Sequence, residues 1–311
     1  MKVYRNISDF KKLKNAVVTI GTFDGVHIGH QKIIGRLVEE ARKIEGESVI
    51  LTFFPHPRMI LHPEDESLRL LNTIPEKTEL IEALRVDHLI ITPFTRDFSN
   101  LSPENYIEEI LIEKIGTKKI IIGYDHRFGK DRKGDFTLLQ QYATVFGYEI
   151  EEIPEQDIHE VVVSSTKIRE AIQKGDVSTA SDFLGYPYRL QGKVIKGDQI
   201  GRKMGFPTAN LYIEETYKLI PSDGIYAVKA QLQNKGPLLK GMAYIGNRPT
   251  IDGMNRSIEI NIFDFHEEIY GQYLKVEFLH FIRGDMKFND LHQLQQQIAR
   301  DRDSVLSVLG W

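Results

Sequence analysis

The sequence predicts an α/β layer built on a parallel sheet, followed by a small β-barrel that ends in a helix. Three observations predict it. The chain has 311 residues, enough for two domains at about 150 residues each. Its first half alternates short apolar runs with stretches of helical period. From Tyr188 that period disappears, and short strands separated by Gly, Pro and Asn take over.

The elements follow in order. Residues 16–20 form an apolar run that stops at Gly21. Ile33, Ile34, Leu37, Val38, Ala41 and Ile44 then recur at helical spacing up to Gly46. Residues 49–54 read as a second buried strand, broken by Pro55 and Pro57, and residues 89–91 as a third. Tyr106, Ile107, Ile110, Leu111 and Ile115 mark a helix closed by Gly116, and residues 120–122 are a fourth strand. This strand–helix order is Rossmann-like, and such sheets bind ligands beyond the C-terminal ends of their strands. In the second half, strands are expected at 188–195, 225–232, 242–245, 258–263 and 274–281, a pattern that suits a small barrel. A terminal helix should carry Leu291, Leu294, Ile298, Val305 and Leu309 behind a cap at Asn289 or Asp290. The hinge falls near Gly185-Tyr186-Pro187, which divides the chain into domains 1–184 and 185–311.

Composition narrows the function classes. Hydrophobic residues make up 41% and charged residues 27%, ordinary for a globular enzyme. A net charge of −4 argues against a broad basic face for nucleic acid or anionic membrane, but leaves room for a local phosphate pocket. There is no cysteine, which excludes disulfides, thiolate nucleophiles and Cys-type zinc sites. No apolar h-region or membrane-length run is visible, so the expected address is the cytoplasm. The expected partners are small molecules alone, and the chain is expected to be a monomer or weak oligomer.

The densest chemistry in the first half is Gly21-Thr22-Phe23-Asp24-Gly25-Val26-His27-Ile28-Gly29-His30, running from a strand into a helix. Free N–H groups and the helix dipole favour phosphate there, and His27 and His30 can donate to a phosphoryl group as its charge grows. A zinc reading would recruit Asp24 as third ligand, and two plain capping histidines are the bland alternative. Val163-Ser164-Ser165-Thr166-Lys167-Ile168-Arg169 offers hydroxyls and cations for a triphosphate, although such caps are common on solvated helices. Gly123-Tyr124-Asp125-His126-Arg127-Phe128-Gly129 stands where a ligand loop is expected, and its planes suit a flat ring. It also reads as a plain turn. Phe54-Pro55-His56-Pro57 occupies the same rim.

In the second half, residues 196–210 combine Gly197, Gly201 and Gly205 with Arg202 and Lys203, which suits a loop over phosphates. Thr208 and Asn210 are oxygen ligands of the kind Mg²⁺ accepts. The alternative is a Gly-rich turn. Ile258-Glu259-Ile260-Asn261-Ile262-Phe263 alternates, so Glu259 and Asn261 share one face. A strand carboxylate of this kind is the base a small-molecule kinase needs, or else merely a solvated glutamate.

These motifs together, from G-T-F-D-G-V-H-I-G-H, F-F-P-H-P, G-Y-D-H-R-F-G and S-S-T-K-I-R to G-R-K-M-G-F-P-T-A-N-L, G-N-R-P-T and I-E-I-N-I-F-D-F, resemble the bacterial bifunctional riboflavin kinase/FMN adenylyltransferase family. The likeness runs over nearly the whole chain. It implies a nucleotidyltransferase domain before the hinge and a riboflavin kinase barrel after it. Riboflavin, FMN and ATP are then the substrates, with Mg²⁺ beside ATP. It further implies that His27 and His30 stabilise the transferring α-phosphate. Phe23, Gly25, Ser164, Ser165, Thr166 and Arg169 would hold ATP in the first domain. Gly197, Gly205, Pro207, Thr208 and Asn210 would hold it in the second, with Thr208 and Asn210 on the metal. Asp125, Arg127, Phe128 and Arg283 would lie near the flavin, and Glu259 would be the base for the ribityl 5′-hydroxyl. His126, Lys167 and Asn261 depart from the usual family pattern.

Overall fold

The computed structural model describes residues 1–124, 126–154, 163–197, 201, 204–233, 235–250 and 253–310, with the backbone alone at 247–250 and 253–255. Clustering of contacts divides it into two compact units, Met1–Ser164 and Ser165–Trp311. The expected division after residue 184 and this one differ by two helices.

Unit one is a six-stranded parallel sheet. Its strands are β1 (Lys2–Tyr4), β2 (Ala16–Ile20), β3 (Glu47–Phe53), β4 (His88–Thr92), β5 (Thr117–Gly123) and β6 (Glu149–Ile153), in the order β1-β4-β3-β2-β5-β6. Every residue of β2 and β4 is buried, as expected for strands covered on both faces by crossover helices. The sequence reading missed the two edges. β6 reads Glu-Ile-Glu-Glu-Ile, and such charge is tolerated because an edge strand is open on one side.

Helix α1 (Ile28–Lys43) returns from β2 and buries Ile33, Ile34, Leu37, Val38 and Ala41, the face its periodicity predicts. Helix α2 (Ile74–Ala83) opens with a capping box between Thr73 and Glu76. Residues Tyr106–Ile115 form a π-wound helix, α3, stopped by Gly116 in the left-handed region at φ 81°. Helix α4 (Phe136–Phe146) is capped by Asp135.

Unit two begins with helices α5 (Ser165–Gln173) and α6 (Val177–Leu184). A closed antiparallel barrel follows. Its strands are β7 (Tyr188–Ile195), β8 (Ala209–Tyr212), β9 (Gly224–Leu232), β10 (Leu239–Thr250), β11 (Gly253–Ile262) and β12 (Tyr273–Arg283), closing in the order β10-β11-β8-β7-β12-β9. Five of these strands coincide with predicted ones, most of them longer than the apolar run suggested. β8 was read as part of a Gly-rich loop, because four residues bounded by Pro207 carry too little pattern.

The register sorts the barrel faces. Tyr226, Val228, Ala243, Ile245 and Ile260 lie on one face and are buried; Ile225, Ala227, Met242 and Tyr244 lie on the other. The terminal helix α7 (Leu291–Val308), capped by Asp290, covers the latter face. Its apolar packing on the barrel runs from Ile298 to Leu309. Val305 is fully buried, whereas Leu291 is 65% exposed and does not join the face its spacing predicted.

Candidate active sites

The first site grows out of the central strand. β2 lies between β3 and β5, so the turn after Ile20 leaves the middle of the sheet at its C-terminal rim. Three residues of this turn adopt the left-handed region: Phe23 at φ 45°, Gly25 at 87° and Val26 at 38°. Gly25 takes that conformation freely, but Phe23 and Val26 do not, and a β-branched residue there is strained. Neighbours hold the turn in place. Gln31 Nε2 donates to Val26 O at 2.8 Å, and Asp24 accepts from the Leu71 and Asn72 N–H groups.

His27 is the N-cap of α1. Its Nδ1 accepts from His30 N–H at 3.4 Å, so a neutral ring carries its proton on Nε2 as a donor. The two imidazoles are stacked at 3.6 Å between centroids and 18° between planes. Phe23 meets His30 edge-on at 5.2 Å. Burial, then the neighbouring His27 and Lys77, push the His30 pKa well below its ordinary 6.5. His27 is only 6% exposed, so its ring is part of the packing at this helix start. The zinc reading loses its third ligand, since Asp24 is committed to backbone N–H groups. Among the described residues no three His, Asp or Glu side chains converge on a point.

Along the same rim runs a chain of aromatic rings. Phe53 at the end of β3 contacts Phe94 (5.7 Å) and Phe98 (5.5 Å); Phe98 meets Tyr106 (6.0 Å), Tyr106 meets Phe128 (5.4 Å), and Phe128 stacks on His126 (5.9 Å). Two polar atoms in it, Tyr106 Oη and His126 Nε2, are buried with no hydrogen-bond partner among the described residues. Burial raises the Tyr106 pKa, while burial and Arg132 push that of His126 down to about 4. Aromatic rings edged by unpartnered polar atoms suit a flat heteroaromatic ligand. Sequence reading found Phe128 but missed Phe53, Phe94, Phe98 and Tyr106. The available signal was aromatic residues following successive strands.

Other predicted residues of this half are placed as follows. Asp125 lies outside the described residues. Arg127 pairs with Asp135 at 2.8 Å, next to the cap of α4. Ser164 ends unit one. Ser165, Thr166 and Arg169 lie on the first two turns of α5, which is anchored by the buried Ile168 and Ile172.

The second site is assembled by strand pairing. In the ladders Asn210 on β8 is opposite Glu259 on β11, and Glu259 is opposite Tyr244 on β10, so all three share one face. Thr208 Oγ1 donates to Glu259 Oε2 at 3.1 Å, and Asn261 Nδ2 donates to Pro207 O at 2.7 Å, which fixes the chain leading to Thr208. The expected alternation holds, yet both faces of β11 are covered: Glu259 is only 6% exposed and Ile260 fully buried. A solvated strand glutamate is therefore excluded. Gly197 makes the close approach possible, because a Cβ there would lie 2.3 Å from Asn210 Nδ2. Gly205 is left-handed at φ 85°. Asp198, Gln199, Ile200, Arg202 and Lys203 lie outside the described residues.

A cavity of about 370 Å³ opens beside Thr208, lined by Val194, Pro207, Ile262, His266 and Tyr270 among others. Its size suits a small-molecule ligand. The segment 265–270 was not singled out in the sequence. Arg283, expected near the flavin, has partners of its own in the barrel: its Nε and Nη2 donate to Asp301 at 2.9 and 2.6 Å and Nη1 to Gly284 O, so the guanidinium braces β12 against α7.

Comparison with known proteins gives the family. A family model described as FAD synthetase matches residues 9–167, and one described as riboflavin kinase matches residues 184–309. The bifunctional riboflavin kinase/FMN adenylyltransferase of Haemophilus influenzae is 36% identical over 306 residues, covering 98% of each chain. The chain belongs to the bifunctional riboflavin kinase/FMN adenylyltransferase family. Another member, from Listeria monocytogenes, is 38% identical and covers 94% of this chain and 91% of its own. A solved structure described as a macrolide-efflux protein from Streptococcus pneumoniae superposes with TM-score 0.89 at 32% identity, covering 100% of this chain and 99% of that one. Among the described residues no helix is long and apolar enough to cross a membrane. The two family models leave residues 168–183 between them, most of the α5–α6 pair.

Proposed function

We propose that the barrel phosphorylates riboflavin through Glu259, and that the sheet unit transfers AMP to the resulting FMN through His27 and His30. The chain is a bifunctional riboflavin kinase and FMN adenylyltransferase, as the two family models in their order imply. What supports the residue roles is the meeting of Thr208 and Asn210, on one segment, with the buried Glu259 on another.

In the kinase step, Glu259 accepts the proton of the ribityl 5′-hydroxyl while that oxygen attacks the γ-phosphorus of ATP, and ADP leaves. Thr208 orients the carboxylate. The neutral oxygens of Thr208 and Asn210 beside a buried carboxylate are a hard donor set that fits Mg²⁺, which would neutralise phosphate charge there. Gly197, Gly205 and Pro207 shape the loop over ATP, and the adjoining cavity takes part of the nucleotide.

In the adenylylation step, an FMN phosphate oxygen attacks the α-phosphorus of a second ATP, and pyrophosphate leaves. His27 Nε2–H and His30 donate to the α-phosphoryl oxygens as charge builds, beside the free N–H groups of α1. A neutral His30 serves as a donor without delivering a proton. Ser164, Ser165, Thr166 and Arg169 bind the remaining phosphates at the start of α5, with Phe23 and Gly25 shaping the turn. The aromatic chain from Phe53 to Phe128 receives the flavin ring, with Asp125 and Arg127 at its edge.

Incubation of the purified chain with riboflavin and MgATP, followed by chromatography, should show FMN first and FAD later, with pyrophosphate released. Recovery of riboflavin alone over a broad range of ATP and Mg²⁺ would overturn the reading.

A further inference from the structure

Lys77 stands at the fourth position of α2, four residues after the cap Thr73. A lysine there is ordinarily solvated, and the positive end of the helix dipole disfavours it. In this fold Lys77 is only 4% exposed. Its ammonium donates to Thr22 O at 2.7 Å; burial lowers its pKa from the ordinary 10.5, and the carboxylate of Asp24 in the same turn opposes that shift. Asp24 is itself held by the Leu71 and Asn72 N–H groups just ahead of α2. The segment 71–77 thus grips both ends of the Thr22–Asp24 stretch, which leads into the left-handed residues before His27.

We propose that Lys77 is a positioning residue for adenylyl transfer: its buried ammonium fastens, through Thr22 O, the strained turn that leads to His27 and His30. The inference rests on the assignment of that reaction to His27 and His30. Among the described residues the groups that act on His30 are His27 from its own helix start, Lys77 from α2 and the ring of Phe23 from the turn, with Asp24 the acidic group that acts on Lys77. Lys77 therefore acts on His30 as a like charge, and it adds to burial and His27 in keeping that ring neutral. An uncharged imidazole in a fixed place is the donor that the developing phosphoryl charge requires.

Two variants of the full chain separate the two effects, each assayed with supplied FMN and MgATP. Lys77→Met keeps the length of the side chain but removes both donor and charge. It should lower kcat for FAD formation about 10²-fold, the cost of a small misplacement of reacting groups. Lys77→Gln keeps a donor for Thr22 O and removes only the charge, so it should recover part of that rate. In both, the acid limb of the kcat profile, set by protonation of His30, should move to higher pH, because the repelling charge is gone. Riboflavin phosphorylation by the same samples reports that the protein is folded. Wild-type kcat and an unmoved acid limb in both variants would overturn the proposal, as would a loss of rate in both with the limb unmoved, which marks a merely structural lysine. If the wild-type chain makes no FAD from supplied FMN, the assignment of the reaction fails instead, whatever the variants do.

Discussion

Glu259 shows how a residue acquires a role from its neighbours. Its carboxylate lies on the barrel face shared with Asn210 and Tyr244, and Thr208 donates to it. Glu259→Gln preserves volume and a hydrogen-bonding oxygen but cannot take a proton. FMN formation should fall by about 10²–10⁴-fold, the usual contribution of a general base. FAD formation from supplied FMN should persist, since it is assigned to His27 and His30 rather than to Glu259. Loss of both activities in a folded Glu259→Gln protein would contradict the division of labour. His27 is a harder target, because it caps α1 as well as having the proposed role toward the phosphate. An alanine there also loses a cap worth about 1 kcal/mol, so the loss of FAD formation should come with a lower Tm.

At the scale of elements, α1 is tied to the sheet edge by a charge network. Lys119 Nζ on β5 donates to Glu40 of α1 at 2.6 Å and also meets Glu151 of β6 at 2.8 Å. Lys119 and Lys43 hold the Glu40 carboxyl down at about 2. The folded value lies below the ordinary 4.5, so the stabilisation is complete above about pH 4.5 and fades as pH falls toward 2. Glu40→Gln should therefore lower Tm at pH 7, and its gap from wild type should narrow across that acidic window. A gap independent of pH would show that packing, not charge, is lost. The alternating glutamates of β6 are legible in this light. They hid the strand from a pattern search and yet supply the partner of Arg36, whose Nε meets Glu151 at 2.6 Å.

For the whole molecule, the boundary between units is a question of which core owns α5 and α6. Val177, Ala180 and Leu184 are fully buried, and Ser178 Oγ donates to Leu279 O on β12 at 3.1 Å. Ser181 Oγ accepts from Tyr188 N–H at the start of β7. A fragment of residues 165–311 should fold and make FMN but no FAD. A fragment of 186–311, which follows the sequence-based division, should melt at lower temperature because it exposes the surface that α6 covers. Equal thermal stability of the two fragments would place the division at the hinge instead.

By itself the sequence determined the class of each half, the central strands, the buried face of α1 and the place of the strand carboxylate. Those signals are local: apolar period, Gly and Pro punctuation, and caps lie within a few residues of one another. Tertiary structure alone decided what meets across the chain. Asn210 faces Glu259 because β8 closes the barrel beside β11. Lys77 reaches Thr22 across 55 positions. Phe53, Phe98, Tyr106 and Phe128 form one row because β4, β3, β2 and β5 are neighbours in that order. Arg283 turned to Asp301 because α7 packs on that side of the barrel. Strand order and helix placement come from burying apolar area over the whole chain, a sum that no short window contains.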